Sequence, residues 1–111
     1  MAWIELVADA QIDKIVEDSK LRPQVIFKHS TSCSTSAVAK SRLERQQFPD
    51  HIDFYYLDLL RFRPLSDAVS STFAVYHESP QVLLIKNGQC VYDESHLGIS
   101  MNEIVEQNSL S

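Results

Sequence analysis

Apolar positions along this chain recur with two different periods, and the switches between them mark out a series of elements. Trp3 to Val7 is a short apolar stretch of strand character. Asp9 to Ser19 follows with Ile12, Ile15 and Val16 at the i, i+3, i+4 spacing of an amphipathic helix, which Pro23 closes. Gln24 to Ser30 carries Val25, Ile26 and Phe27 in a row, a run of β-branched and aromatic residues without helical spacing that predicts a buried strand. After Ser30-Thr31-Ser32, the segment from Cys33 to about Gln47 is rich in good helix formers and begins directly behind candidate N-cap residues. Asp53 to Leu60 predicts a further strand. Arg63-Pro64 places a proline at a helix start, and Leu65, Ala68, Val69, Thr72 and Phe73 mark one face of that helix. Behind Pro80, Gln81 to Lys86 and Gln89 to Asp93 flank Asn87-Gly88, a strong hairpin signal. Ser100 to Glu103 forms a Ser-x-x-Glu capping box with Ile99 and Ile104 as a hydrophobic staple, so a last helix should run to about Gln107. The order reads βαβαβαββα.

Composition narrows what such an array can be. The 111 residues suit one domain over 1–111, and neither repeats nor low-complexity tracts interrupt them. Two cysteines supply neither a disulfide framework nor a closed four-cysteine zinc site, and two glycines supply no Gly-rich phosphate cradle. No spacing of His, Cys or carboxylates suggests a metal site. With 10 Lys and Arg against 15 Asp and Glu, the net charge of -5 argues against nucleic-acid or anionic-membrane partners. The apolar runs are strand-sized, too short for a membrane span, and the start of the chain lacks the pattern of a secretory leader. A cytoplasmic chain with free thiols is the expectation.

Parallel strands linked by helices and finished by an antiparallel hairpin and a helix predict an α/β, thioredoxin-like fold with a central mixed sheet flanked by helices. In that frame Cys33 falls in the first turn of a helix, where free backbone N–H groups and the positive end of the macrodipole favour thiolate over thiol. Lys28, His29 and Lys40 are near in sequence and are candidate thiolate-tuning groups. A thiolate there suits attack on a disulfide or a peroxide; taken alone, Cys33 reads equally well as a small buried hydrophobe. The spacing Cys33-Ser34-Thr35-Ser36 is Cys-x-x-Ser, so Ser36 cannot resolve a mixed disulfide. One turn on, its hydroxyl is placed to donate to the thiolate, or to serve as a cap or an ordinary helix position. Cys90 falls opposite Ile85 across the hairpin. Pro80, beside Cys33 in this topology, lies about five strand residues from Ile85, or ~17 Å at ~3.3 Å per residue. A disulfide needs Cα atoms within about 7 Å, so Cys90 reads as a buried spectator and the site as monothiol.

The runs Phe27-Lys28-His29-Ser30-Thr31-Ser32-Cys33, Arg63-Pro64-Leu65-Ser66 and His77-Glu78-Ser79-Pro80-Gln81, with the later Ser95-His96, resemble the monothiol bacilliredoxins, the YtxJ family of the bacillithiol system. The resemblance covers nearly the whole chain. The usual family motif is Cys-Pro-Ile-Ser, which maps its cysteine to Cys33 and its serine to Ser36; Ser34 and Thr35 stand where the family has proline and isoleucine. It implies that Pro80 is a cis-proline and that Ser79 before it offers backbone groups to a disulfide substrate. It further implies removal of a bacillithiol-type low-molecular-weight thiol from S-thiolated proteins. No resident cofactor is then needed, the small thiol is a co-substrate, and an outside thiol or redox reductant frees the enzyme.

Around Cys33 the candidate substrate-contacting residues are therefore Ser32, Ser34, Arg63, Ser79 and Pro80. Arg63 is placed either to pair with a carboxylate of the small thiol or to stand as a solvated charge. His29 either stabilises the thiolate or is a strand-end histidine satisfied by the backbone. His77 and His96 read as structural, and Tyr55 and Tyr56 as sheet packing. Two other functions compete. One is a non-catalytic thioredoxin-like binding or stress-adaptor module with an incidental cysteine. The other is an arsenate-reductase-like enzyme, because His29-x-x-x-Cys33-x-Thr35-Ser36 is similar to that active-site loop; Ser79, however, stands where that family has arginine before the cis-proline.

Overall fold

In the computed structural model, which describes residues 3–111, the strands are β1 (Trp3–Glu5), β2 (Gln24–His29), β3 (Asp53–Asp58), β4 (Gln81–Lys86) and β5 (Gln89–Ser95). The helices are α1 (Ala10–Asp18), α2 (Ser34–Glu44), α3 (Arg63–Phe73) and α4 (Met101–Leu110), with one 3-10 turn at His96–Gly98. The strands form one sheet in the order β1-β3-β2-β4-β5. β1 and β2 run parallel to β3, whereas β4 runs antiparallel to both β2 and β5. The α/β, thioredoxin-like arrangement expected from the sequence is the one adopted.

β2 lies in the middle of this sheet, and all six of its residues are buried. Period-2 alternation sends Ile26 to the face covered by α1 and α3, where it joins Ile12, Ile15, Leu65, Val69 and Phe73. Val25 and Phe27 point to the other face, against Ala39 and Leu43 of α2 and Met101 and Ile104 of α4. A strand flanked by helices on both sides must be apolar on both, which is why the run Val25-Ile26-Phe27 shows no alternation in the sequence.

Several boundaries differ from those expected, each for a local reason. β1 and β3 end at Glu5 and Asp58, earlier than Val7 and Leu60. α2 stops at Glu44 rather than near Gln47. Pro49 disfavours a helical Phe48, and the Phe48 ring instead packs edge-on against Trp3 and Phe54 at 5.1 and 4.8 Å. α4 continues to Leu110, because Lys86 Nζ donates to the carbonyls of Asn108 and Ser111 at 3.0 and 2.9 Å and so satisfies its C-terminal end. β5 runs on to Ser95, which pairs with Gln81. The hairpin turn uses positive φ at both Asn87 (52°) and Gly88 (78°), as a two-residue turn requires.

The serine half of the capping box at the start of α4 forms, with Ser100 Oγ accepting from Glu103 N at 3.1 Å, whereas the Glu103 carboxylate accepts from Gln107 Nε2 at 3.2 Å instead of reaching back to Ser100 N. Ser100→Ala is expected to cost ~1 kcal/mol in urea unfolding. A loss below ~0.3 kcal/mol would mean that Met101 and Ile104 packing holds this helix without the cap.

Candidate active site

The parallel strands β2 and β3 deliver their C-terminal ends to one edge of the sheet, and the chain turns there into α2 and α3. The main chain ties these two turns together, with Leu59 N donating to His29 O at 3.0 Å. β4 runs the opposite way and begins at this same edge, where Lys28 pairs with Gln81. Pro80 therefore lies level with His29, and Ser79-Pro80 is a cis peptide bond. Cys33, Arg63, Ser79 and Pro80 all belong to this end of the molecule.

Cys33 is the N-cap residue of α2, with extended backbone (φ -110°, ψ 123°), and it is a free, partly exposed thiol. Its own N–H donates to Ser30 O at 3.2 Å, and its carbonyl accepts from Ala37 N at 3.1 Å. The turn before it is polar: Ser30 Oγ and Ser32 Oγ lie 3.2 Å apart. Thr31, Ser32 and Ser34 are exposed around the thiol.

Ser36 is fully buried, and its hydroxyl is engaged elsewhere than at the thiol. It accepts from Ser30 N at 3.0 Å and lies 2.7 Å from His29 Nδ1. Burial, with Lys40 adding to it, lowers the pKa of His29. Among the described residues no hydrogen bond joins Ser36 to Cys33, so the expected donation from Ser36 to the thiolate is not made. The partner of His29 is thus the Ser36 side chain, where a backbone group was the expected alternative, and among the described residues no hydrogen bond joins His29 to Cys33. Ser36→Ala strands both the Ser30 N–H and the His29 ring nitrogen in a buried place, and is expected to cost about 1–3 kcal/mol in urea unfolding. A change within ~0.3 kcal/mol would show that water replaces the hydroxyl.

Lys28 requires a second correction. It neighbours His29 in a strand, so its side chain emerges on the opposite face from α2. There Lys28 Nζ donates to Ser66 O at 3.1 Å and Ser70 Oγ at 2.7 Å, and lies 3.4 Å from His77 Nδ1. It is engaged with α3 and the following connection rather than with Cys33. Lys40 pairs with Glu44 at 2.8 Å and lies over the Tyr56 ring at 5.6 Å from its centroid. Arg63 stands exposed in the first turn of α3, loosely paired with Asp67 at 3.4 Å.

Cys90 lies opposite Ile85, as the hairpin spacing predicts, and packs against the core on the α1 and α3 face. It is partly rather than fully buried, because β5 is an edge strand. A register shift between Leu84 and Ile85 sets its strand one residue out beyond that point. Burial pushes its thiol up to about 11.

Sequence reasoning missed the cluster of Ser66, Ser70 and His77 about Lys28, and the contact of His96 Nε2 with Glu78 Oε1 at 3.5 Å beside Pro80. The available signal for the first was Lys28 itself, a lysine inside an otherwise buried strand. Among the described residues no three His, Cys, Asp or Glu side chains are grouped to hold a metal ion, and no helix is long and apolar enough to cross a membrane.

A mixed sheet of this order, with a cysteine at the N-cap position of the helix behind its central strand and a cis-proline just before the neighbouring strand, defines a thioredoxin-fold thiol protein. The model of the monothiol bacilliredoxin family, BrxC, matches residues 4–104, and the chain belongs to that family. A thiol redox role follows from this membership. A solved protein of thioredoxin fold, proposed to be an oxidoreductase, superposes with a TM-score of 0.84 at 29% identity, covering 96% of this chain and 94% of that one. Thioredoxin f from spinach chloroplast (TM-score 0.71, 15% identity, 99% and 95% covered) shares the fold. So does the thioredoxin of Fasciola hepatica (TM-score 0.70, 17% identity, 96% of each chain).

Proposed function

We propose that this protein removes a bacillithiol-type low-molecular-weight thiol from S-thiolated proteins. The observation that carries the reading is the division of labour between the two sulfurs. Cys33 caps α2 at an open, polar rim, while Cys90 packs into the sheet with its thiol held at about 11. One reactive sulfur without a neighbouring partner suits transfer of a small thiol better than oxidation of a dithiol.

In the proposed reaction the Cys33 thiolate attacks the small-thiol sulfur of the mixed disulfide. A new disulfide forms between Cys33 and the small thiol as the old one breaks, and the client protein leaves as a thiolate that takes up a proton from water. A second small thiol, as its thiolate, then attacks the small-thiol sulfur of that disulfide, forms the symmetric small-molecule disulfide and returns Cys33 as thiolate. No resident cofactor takes part, and the electrons come from the small-thiol pool or another reductant of the cytoplasm. Pro80 and the backbone of Ser79 present the edge against which the substrate disulfide lies, and Ser32 and Ser34 line the approach. Arg63, exposed at the same end, is the candidate partner for a carboxylate of the small thiol. His29 and Ser36 support the turn that holds Cys33 in place.

Intact-mass measurement after mixing the reduced protein with a bacillithiol-capped model protein tests the reading. The expected result is one small-thiol adduct, mapped to Cys33, with stoichiometric release of the client thiol. Transfer that never occurs, or an adduct mapped to Cys90, rejects it.

A further inference from the structure

Beneath the edge that carries Pro80, an amino group lies wholly inside the protein. Lys28 has no exposed surface. An ammonium has three protons, and three acceptors stand around this one: Ser66 O, Ser70 Oγ and His77 Nδ1 at 3.1, 2.7 and 3.4 Å. All three are neutral groups. Burial without an adjoining carboxylate pushes Lys28 down to about 8, with Arg63 lowering it further and Asp67 raising it. Holding such a group in a core costs stability that an unbranched apolar side chain such as methionine, one atom shorter, would not.

The three partners lie on two different elements. Ser66 and Ser70 belong to α3, whereas His77 belongs to the connection that runs from α3 into Pro80. Other contacts hold the two ends of that connection: Val75 N donates to Ser70 O at 3.1 Å, Gln81 Nε2 to Tyr76 O at 2.9 Å and His96 N to Pro80 O at 3.0 Å, and His96 Nε2 lies 3.5 Å from Glu78 Oε1; at His77 itself the contacts are with Lys28 and with Ser66 Oγ, 3.3 Å from Nδ1. Lys28 is also the strand partner of Gln81, the residue after Pro80. One side chain thus joins β2, α3 and the approach to the cis-proline.

We propose that Lys28 is a positioning residue whose ammonium holds the segment from His77 to Pro80 in the place a protein mixed disulfide needs, and whose neutral form releases it. The role rests on the exchange at Cys33 proposed above. Deprotonation removes one of the three donations and leaves a lone pair in its place, so the contact with Ser70 or His77 survives only if that partner turns from acceptor to donor; the longest of the three, to His77, is the least firmly held. The titratable groups facing the amine are Arg63 and Asp67 from α3, and His77 and Glu78 from the connection. His77 does not confuse the titration. Its own pKa is lowered, first by burial and then by Lys28 and Arg63, so it is already a neutral acceptor where Lys28 changes charge.

The experiment compares wild type with Lys28→Met from pH 6 to 10. Two rates are measured: exchange with a bacillithiol-capped model protein, and alkylation of Cys33 by iodoacetamide. Backbone amide resonances of Glu78 and Ser79 are followed over the same range. Lys28→Met is expected to exchange about tenfold more slowly while Cys33 alkylates within about twofold of wild type. In wild type the ratio of exchange to alkylation should fall as pH rises through about 8, with the two amides moving over the same midpoint; in Lys28→Met both effects should vanish. The wild-type ratio and amide shifts need no variant to fold. Amides that do not titrate there, exchange by Lys28→Met within twofold of wild type, or exchange and alkylation falling together would each overturn the proposal. Wild type that never exchanges removes the reaction Lys28 would serve and overturns its role too, while the amide titration separates that outcome from failure of the strut itself.

Discussion

Cys33→Ser is expected to reduce thiol exchange to background, a loss of at least about a thousandfold, while Cys90→Ala stays within about twofold of wild type. The asymmetry follows from where each sulfur sits. With its thiol at about 11, Cys90 is ionised in roughly one molecule in ten thousand at pH 7, and thiolate is the attacking species. Its Sγ also donates to Tyr92 O at 3.3 Å, inside the sheet. Cys33 lies at the rim instead, on a turn whose neighbours Ser32 and Ser34 are open to solvent, with no hydrogen bond from its Sγ among the described residues. A bacillithiol-capped model protein serves as substrate, and short exposure of the native protein to iodoacetamide gives an independent reading. One label on Cys33 and none on Cys90 is the expected pattern. Exchange that survives Cys33→Ser would end the proposed function, and so would exchange that requires Cys90.

The largest loss of stability is expected at Phe27. It is fully buried in the central strand, stacked on Trp3 at 5.5 Å between ring centroids, and packed with Val25, Ala39, Leu43 and Phe54 on the face under α2 and α4. Phe27→Ala removes the ring and leaves a cavity that a strand paired on both sides cannot close by shifting, at a cost of about 3–5 kcal/mol. Against a total of about 5–15 kcal/mol for a domain, that is a large share. Tyr76→Ala is the matched control. Its side chain is 93% exposed, and the change should stay within ~0.5 kcal/mol. Urea unfolding of the two variants decides the matter, and a Phe27→Ala cost under ~1.5 kcal/mol would mean that Trp3 and its neighbours refill the space.

The order of elements was legible because each carries its own local chemistry: the unbroken run Val25-Ile26-Phe27, the proline after Arg63, Asn87-Gly88 and the Ser100 to Glu103 box. Helix ends were less so, since they depend on groups distant in the chain. Lys86, which caps α4 from the hairpin, has no sequence mark of that use. At the site, Cys33 stood out through its place between a hydroxyl-rich turn and a run of helix formers, and Pro80 through the family resemblance. Lys28 was grouped with Cys33 by treating nearness in sequence as nearness in space. Strand alternation forbids two adjacent residues from serving the same face, and applied to Lys28 and His29 it separates them from the sequence alone. The pairing of Ser36 with His29 was not legible, because it depends on the angle at which α2 leaves the end of β2.

β2 is hydrogen-bonded to a strand on either side and covered on both faces. Its amides from Val25 to Lys28 should therefore exchange with deuterated solvent only when the whole molecule opens. The floor under Cys33 is then as stiff as the chain allows, with Thr31, Ser32 and Ser34 as a thin rim of short polar side chains above it. Under the proposed function, clients of different shape would meet a fixed anvil. Whatever accommodation they required would come from their own unfolding or from the rim, so locally disordered segments around a capped cysteine would be easier to repair than those held in a rigid surface.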